Sequence, residues 1–466
     1  MKKVLNFLTG IDTFILMVVA TMIKKYGQLL TGLINQFVNI LSPFIITVIG
    51  LKTTDAEHGS IWVIFLSMMV LINLFDFGLS PTTIRNISYV IGGAKTLQKD
   101  GIVAISDDAI ISFPLLLRLL KDIKRIYSYI TIVAFFIITL GGGIYFWLIS
   151  PEHLATEIII AWGFFSLGLL LNLYYLYYTP VLCGLGVIQH SYYANIAGKL
   201  SWLILTMLVL FFHSSIIGFS AVFVISIFIN RAVSSYFYNR NDNIRKTKNV
   251  VMQSESTIPV IAYNTIKLGT VSLGSFMISR ATILIAGLYL PLALAGAYTF
   301  TLQVYMALLA VGNVFVTIKV PQLSSLVLRG DRTGLQKSIA KTLSLSCSIY
   351  ILGFLTFYVL ANFLTELLNL KVHFLDSKFL VLLAVVYFLE LTHSICATII
   401  TTQNKVPFVK PALLSGFFIV LTSYLLLKYT DLGVMGLIIA QGIIQLSYNN
   451  WKWPVTVYKE FFSYAK

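Results

Sequence analysis

A chain of 466 residues that is 58% apolar and only 11% charged, with a mean hydropathy of +0.88, is far from a soluble domain, in which about a quarter of residues carry charge. Apolar segments of about 20 residues, each able to cross a hydrocarbon core of ~30 Å, account for most of the length and leave no room for a soluble catalytic domain. The net charge of +15 would suggest nucleic acid for a soluble protein. Here the cations stand between apolar segments, so charge reports topology and no nucleic-acid partner is expected.

At the N-terminus, residues 4–23 are apolar, but Lys2 and Lys3 precede them and Lys24 and Lys25 follow. Both ends then prefer the cytoplasmic face, which disfavours a span. Segment 1–27 is expected to be an interfacial helix or to lie upstream of a true start at Met22. A cleaved signal peptide fits poorly, since the small-residue site around Ala20 runs straight into two lysines.

Helices are then expected near 28–50, 59–80, 127–149, 157–178, 197–213 and 216–237, and again near 258–290, 294–319, 342–364, 377–400, 410–428 and 433–451. Their grouping predicts an all-α polytopic membrane protein with about 12 transmembrane helices in two pseudo-symmetric six-helix lobes, 28–237 and 258–453. A polar linker, 238–257, joins the lobes, and 454–466 forms a tail. Cations gather on alternate loops: Arg85 to Arg125 in one, Arg240, Arg245, Lys246 and Lys248 in another, Arg329, Arg332, Lys337 and Lys341 in a third. The opposite loops hold only Lys52, Lys371, Lys378 and Lys428. The positive-inside rule therefore puts both termini in the cytoplasm.

The two lobes share a sequence echo. Gly50-Leu51 pairs with Gly287-Leu288, Ala56 with Ala293 and Gly59 with Gly296, all at one offset (287 − 50 = 237). Ser42 and Ser279 match at that offset too. Further on, Gly93 to Lys99 is echoed by Gly330 to Lys337 with one residue inserted. Identities at equivalent topological points favour parallel repeats of the kind that build transporters.

Helix one carries Gln28, Thr31, Asn35, Asn39 and Ser42 at spacings of three and four, a continuous polar stripe on an apolar helix. The seventh helix has a weaker counterpart in Asn264, Ser272, Ser275 and Ser279. The two stripes are expected to face one cleft between the lobes, although any single Ser or Asn can equally be interhelical glue. Arg280 lies near the middle of the seventh helix, where insertion costs at least ~2.5–3.5 kcal/mol. That rarity favours contact with a substrate or cavity. Lys267, Lys199 and Arg231, nearer helix ends, are balanced between a cavity role and an interfacial one. Among acids, Asp76 and Glu390 stand out, with His393 one turn after Glu390. A carboxylate in a membrane helix pairs with a cation, binds a coupling ion or takes up a proton. Coupling to protons or sodium is thus open, and no other cofactor is expected.

Other motifs carry little. Cys183, Cys347 and Cys396 are scattered without metal-ligand spacing, so no metal is expected. Glu390 and His393 make a Glu-x-x-His pair, but a di-iron bundle needs a second copy. No Walker A loop is present. Tyr174, Tyr175, Tyr177 and Tyr178 close a helix on the cytoplasmic side and are expected to be interfacial anchors.

The stretch 72–99 binds these features together. An apolar helix closes on Asp76-Phe77-Gly78, followed by Pro81, Arg85, Ser88-Tyr89 and Gly92-Gly93-Ala94, so that a carboxylate, a helix stop and a basic segment come in sequence. This pattern at the end of the second membrane helix resembles the O-antigen flippases of the multidrug/oligosaccharidyl-lipid/polysaccharide exporter superfamily. The resemblance implies a bacterial inner-membrane flippase, not an enzyme, that moves undecaprenyl-pyrophosphate-linked repeat units by alternating access in O-antigen and lipopolysaccharide biosynthesis. It also implies membrane lipids, a polysaccharide polymerase and a chain-length regulator as partners. Asp76 and Arg85 are expected to serve coupling or gating, the carboxylate lying one turn inside the helix end where the lobe must move, the alternative being that the two only pair with each other.

Rival readings are a lipid II flippase, which usually carries two further C-terminal helices, and a drug or cation antiporter, which needs an acidic cavity. An integral-membrane sugar polymerase or glycosyltransferase would need a large external loop.

Overall fold

The structure is a computed structural model that describes residues 2–98, 110–212, 215–403 and 407–463; the side chains of 2–26 and of residues 29, 212, 264, 267, 321 and 328 lie outside that description. The expectation for segment 1–27 as an interfacial piece rests on those side chains and falls outside the described residues. So do Lys99 and the side chains of Asn264 and Lys267.

Regular structure among the described residues is helical throughout. The first lobe comprises α1 (Lys2–Thr53), α2 (Ala56–Asp76), the short amphipathic α3 (Leu79–Ile91), α4 (Phe113–Ile149), α5 (Ala155–Gly184), α6 (Ile188–Phe212) and α7 (Ile216–Arg240). The second comprises α8 (Ile258–Tyr289), α9 (Leu292–Arg329), α10 (Arg332–Leu367), α11 (Ser377–Thr401), α12 (Val409–Tyr429), α13 (Val434–Ser447) and α14 (Asn449–Val457). Among the described residues eleven helices are long and apolar enough to cross a membrane, and α13 with α14 stands where the twelfth was expected.

Local chemistry accounts for many ends. The Asp55 carboxylate accepts the His58 N–H at 2.9 Å and caps α2. Ser215 accepts the Gly218 N–H at 3.0 Å at the start of α7, and Asp331 the Gly334 N–H at 2.9 Å at the start of α10. Such caps satisfy amides that the helix itself leaves orphaned.

Three expected helices are cut short or broken. The second ends at Asp76 because Phe77 and Gly78 both adopt left-handed backbone (φ 50° and 76°), which turns the chain into α3. The seventh is broken at Arg280 (φ −133°, ψ −27°) into Ile258–Ser279 and Ala281–Tyr289. The last breaks at Tyr448, where the Asn449 amide bonds sideways to Ser415 and Gln445 at 2.8 Å each. Helices α9 and α10 run longer than expected, about 57 Å and 54 Å at 1.5 Å per residue. Both therefore project beyond the bilayer at the end where the basic loops lie.

Within the first lobe α7 packs between α5 and α6, and α6 against α1. Trp62, Phe65, Phe146, Trp162 and Phe165 interlock there with ring centroids 4.5–6.5 Å apart. In the second lobe α9 packs on α10 and α11, and α8 on α12. The outer faces of α4 and α10 leave large apolar side chains such as Ile132, Phe136, Trp147, Leu352 and Phe363 exposed, as lipid contact requires. The sequence echo has a backbone counterpart. Gly93 and Gly330, 237 residues apart (330 − 93), both have positive φ (95° and 68°) where the second helix unit of each lobe finishes. The repeat is broken at 77–78, whose counterparts Val314 and Phe315 (77 + 237 and 78 + 237) lie inside unbroken α9.

The lobes close on each other at the end poor in cations. There Gly296 admits Ser60 so closely that a Cβ at 296 would overlap it. Gln303 accepts from Thr47 at 3.0 Å and donates to the Val63 carbonyl at 3.4 Å, and the Lys371 N–H reaches the Leu51 carbonyl at 3.0 Å. Tyr145 donates to the Leu284 carbonyl at 3.2 Å. At the opposite end, among the described residues, α8 is the element that bridges the lobes. Phe77 lies flat over Gly269 and Gly78 over Leu268. The start of α8 is held by Asp122 of α4, which accepts from the Thr257 N–H (2.7 Å) and hydroxyl (2.9 Å), the Ser256 hydroxyl (3.2 Å) and Arg118 (3.0 Å).

Candidate functional site

A cavity of about 660 Å3 opens inside the first lobe between α1, α2, α5, α6 and α7, with Arg280 of α8 completing it. Its size lies in the ~300–1,000 Å3 range of ligand sites. Three cations border it, Lys199, Arg231 and Arg280, and no carboxylate among the described residues does. Six asparagines share the lining: Asn35, Asn39, Asn73, Asn172, Asn195 and Asn230.

Each cation is presented differently. Lys199 stands 11 residues after the start of α6 (199 − 188), about 17 Å into the helix, with its ammonium 4.9 Å from the Trp202 ring centre. The sequence places it near a helix end only because α6 was expected to begin at 197. Arg231 is buried against α5, where its guanidinium donates to Asn172 and, at 3.3 Å, to Thr179. Its Nε–H has no partner. Arg280 sits at the break of α8, nine residues before Tyr289 (289 − 280), and makes no ion pair among the described residues. An arginine or lysine held this way without a carboxylate retains a large desolvation cost, several kcal/mol per ion. An anion entering the cavity recovers that cost.

Asn35 and Asn39 reach the cavity as their stripe implies. Both accept from the Asn195 amide, at 2.6 and 2.8 Å, which ties α1 to α6. Ser42 is buried and does not border the cavity. Ser272, Ser275 and Ser279 do not share the main cavity with the α1 stripe. They line a space of about 310 Å3 between α8 and the second half of α2. Ser272 also borders a third space, of about 380 Å3, beside Asp76. Asn73 adjoins all three spaces, so they meet around it. Nothing in the sequence marks Asn73 beyond its place one turn before Asp76.

The acidic candidates lie apart from the cations. Asp76 accepts the Tyr127 hydroxyl at 2.6 Å, the Ser80 hydroxyl at 2.8 Å and the Ser80 N–H at 3.1 Å, capping α3. Arg85 is exposed and pairs with no acid among the described residues. Glu390 and His393 come together in the second lobe, 3.6 Å apart, on a separate cavity of about 260 Å3 that Ser275 and Ser279 also line. Glu390 accepts from Gln445 at 2.7 Å, and Gln445 from Asn449. The expected tyrosine anchors divide. Tyr177 and Tyr178 are buried and pack on Tyr238, with centroids 6.1 and 5.0 Å away, so they belong to the core.

The geometry defines a two-lobed polytopic membrane protein whose first lobe holds a cationic, asparagine-lined cavity that Arg280 of the second lobe completes, the lobes being closed on each other at one end. Neither a family model nor a curated protein matches the chain. Solved structures do. An inward-facing multidrug resistance MATE family transporter of the MOP superfamily superposes with a TM-score of 0.71 at 12% identity, covering 91% of this chain and 96% of that one. An outward-facing form of a transporter of that description gives 0.54 at 13% over 92% and 94%. The Vibrio cholerae MATE transporter VcmN, in mutant form, gives 0.59 at 16% over 95% and 99%. The chain has the fold of MATE transporters of the MOP superfamily.

Proposed function

We propose that this protein is a flippase of the bacterial inner membrane that carries an undecaprenyl-pyrophosphate-linked O-antigen repeat unit by alternating access. The observation that carries the reading is the cavity with three cations and, among the described residues, no carboxylate. A pyrophosphate headgroup suits such a lining through charge-assisted hydrogen bonds, which arginine makes in pairs. The six asparagines offer donors and acceptors for sugar hydroxyls, and the polyprenyl tail stays in lipid. A drug or cation antiporter is disfavoured because the cavity lacks an acid. In this reading the cation-rich end is cytoplasmic, both termini lie there, and the contacts around Gly296 seal the periplasmic side. Rocking of the lobes would move the cationic site from one face to the other. Glu390 with His393 is the place for a coupling proton or sodium ion. The polymerase and chain-length regulator remain partners on the strength of the family resemblance.

Surface O-antigen in a strain lacking its own flippase tests the proposal. Expression of this chain should restore it. Failure at a normal membrane level, with the matching sugar pathway present, overturns the O-antigen assignment. Topology has its own check: a cysteine at Lys246 should resist an impermeant thiol reagent in intact cells.

A further inference from the structure

Arg231 borders two spaces. On the far side of the α5–α7 seam lies a pocket of about 240 Å3 walled by Leu171, Tyr175, Tyr178, Phe228, Ala232 and Ser235, and Arg231 is the one residue of its lining that also borders the main cavity. Phe228 and Ala232 are exposed on the outer face of α7, so this pocket opens on the lipid-facing flank.

We propose that this flank pocket binds the phosphodiester headgroup of an anionic phospholipid from the surrounding bilayer, with Arg231 as its cation. The guanidinium has five N–H donors. The two partners it has, Asn172 and Thr179, both line the main cavity. Its Nε–H is buried without a partner, the residue is 8% exposed, and no carboxylate lies within ion-pair reach among the described residues. A buried cation so poorly compensated is costly, and an oxyanion is the ligand that compensates it.

Three features select a lipid. Tyr236, exposed and 4.7 Å from the Arg240 guanidinium, sets the interface level. Arg231 lies five residues deeper (236 − 231), about 7.5 Å, a step comparable to the thickness of the interfacial zone. The pocket is smaller than a drug-sized site, enough for a phosphate and its glycerol ester but not for an oligosaccharide. Its mouth, at Phe228, meets acyl chains. The site shares Arg231, and no other lining residue, with the main cavity, so labelling from the lipid side reads it apart from what the main cavity carries.

The test uses the full chain in nanodiscs with a phosphatidylglycerol bearing a photoreactive group next to the phosphate, crosslinks being mapped by mass spectrometry. Labelling is expected on peptides covering 171–178 and 228–235. Ala232→Trp, which fills the pocket from the lipid side, should lower it roughly tenfold, the share of about 1.4 kcal/mol, with Ser235→Phe as a second obstruction should the first variant fail to fold. Arg231→Gln should lower it similarly. Equal labelling by a photoreactive diacylglycerol, which lacks the phosphate, would overturn the proposal. Displacement by millimolar inorganic phosphate at constant ionic strength would assign the pocket to a free anion and overturn the lipid source, as would labelling unchanged by both obstructions.

Discussion

The Tyr127 hydroxyl donates to Oδ1 of Asp76 across 2.6 Å, the same oxygen that accepts from the Ser80 hydroxyl. This ties α4 to the joint between α2 and α3, and that joint is where Phe77 and Gly78 meet α8 of the other lobe. Asp76 is thereby a joint-holding residue whose carboxylate is already engaged.

Tyr127→Phe should cost about 1.5–3 kcal/mol of stability, the worth of a hydrogen bond to a charged group, read as a lower melting temperature in detergent. Asp76→Asn should cost a similar amount, because with the amide oxygen kept on the Ser80 N–H its nitrogen replaces the acceptor to which the Tyr127 and Ser80 hydroxyls donate. Exchanging Asp76 and Arg85 should not rescue transport, since no ion pair joins them; full rescue would refute the cap.

For Arg280, loss of charge should nearly abolish transport while Arg280→Lys leaves part of it, since lysine keeps the charge but not the fork. Both variants should still reach the membrane, as removal of an unpaired cation also removes its desolvation cost. O-antigen per unit of membrane protein is the measure. Wild-type levels from Arg280→Ala would end the case for this arginine as a headgroup ligand.

Asp122→Ala strips the start of α8 of three hydrogen bonds, from Ser256 and Thr257. N-cap losses run to about 2 kcal/mol, and here the cap lies between lobes. Trypsin cleavage in 238–257 should quicken several-fold in the variant. Unchanged cleavage would mean the linker holds by other contacts.

Glu390→Gln keeps a group that can bond Gln445 yet cannot ionise. Transport in proteoliposomes should then lose its dependence on an imposed proton or sodium gradient while downhill exchange persists. A gradient response equal to wild type would clear Glu390 of coupling.

Spans, repeat and the Asn35–Asn39 stripe were legible because each is a periodic property of one segment. Lys199 and Arg231 were not, since their depth depends on where α6 starts and α7 stops, and boundaries are the weakest part of pattern reading. A signal was nonetheless there: Ser191, Asn195 and Lys199 repeat every fourth residue, a stripe like that on α1. The break at Arg280 carries no proline or glycine to announce it. Tyr177 and Tyr178 looked like anchors because their covering partner, Tyr238, is 60 residues away (238 − 178).

The closed end is joined by the contact of Gly296 with Ser60, by hydrogen bonds of Thr47, Tyr145 and Gln303 and by main-chain groups, with no ion pair between the lobes among the described residues. Forces of that kind are short-ranged: dispersion fades within about an ångström and a hydrogen bond loses most of its strength once stretched or bent. Little attraction then survives at partial separation, so intermediate openings gain almost nothing from the seal. The joint should behave like a press-stud, fastened or free, which would let a transporter stay shut on one side until the other is secured, and salt should hardly alter the force needed to part it.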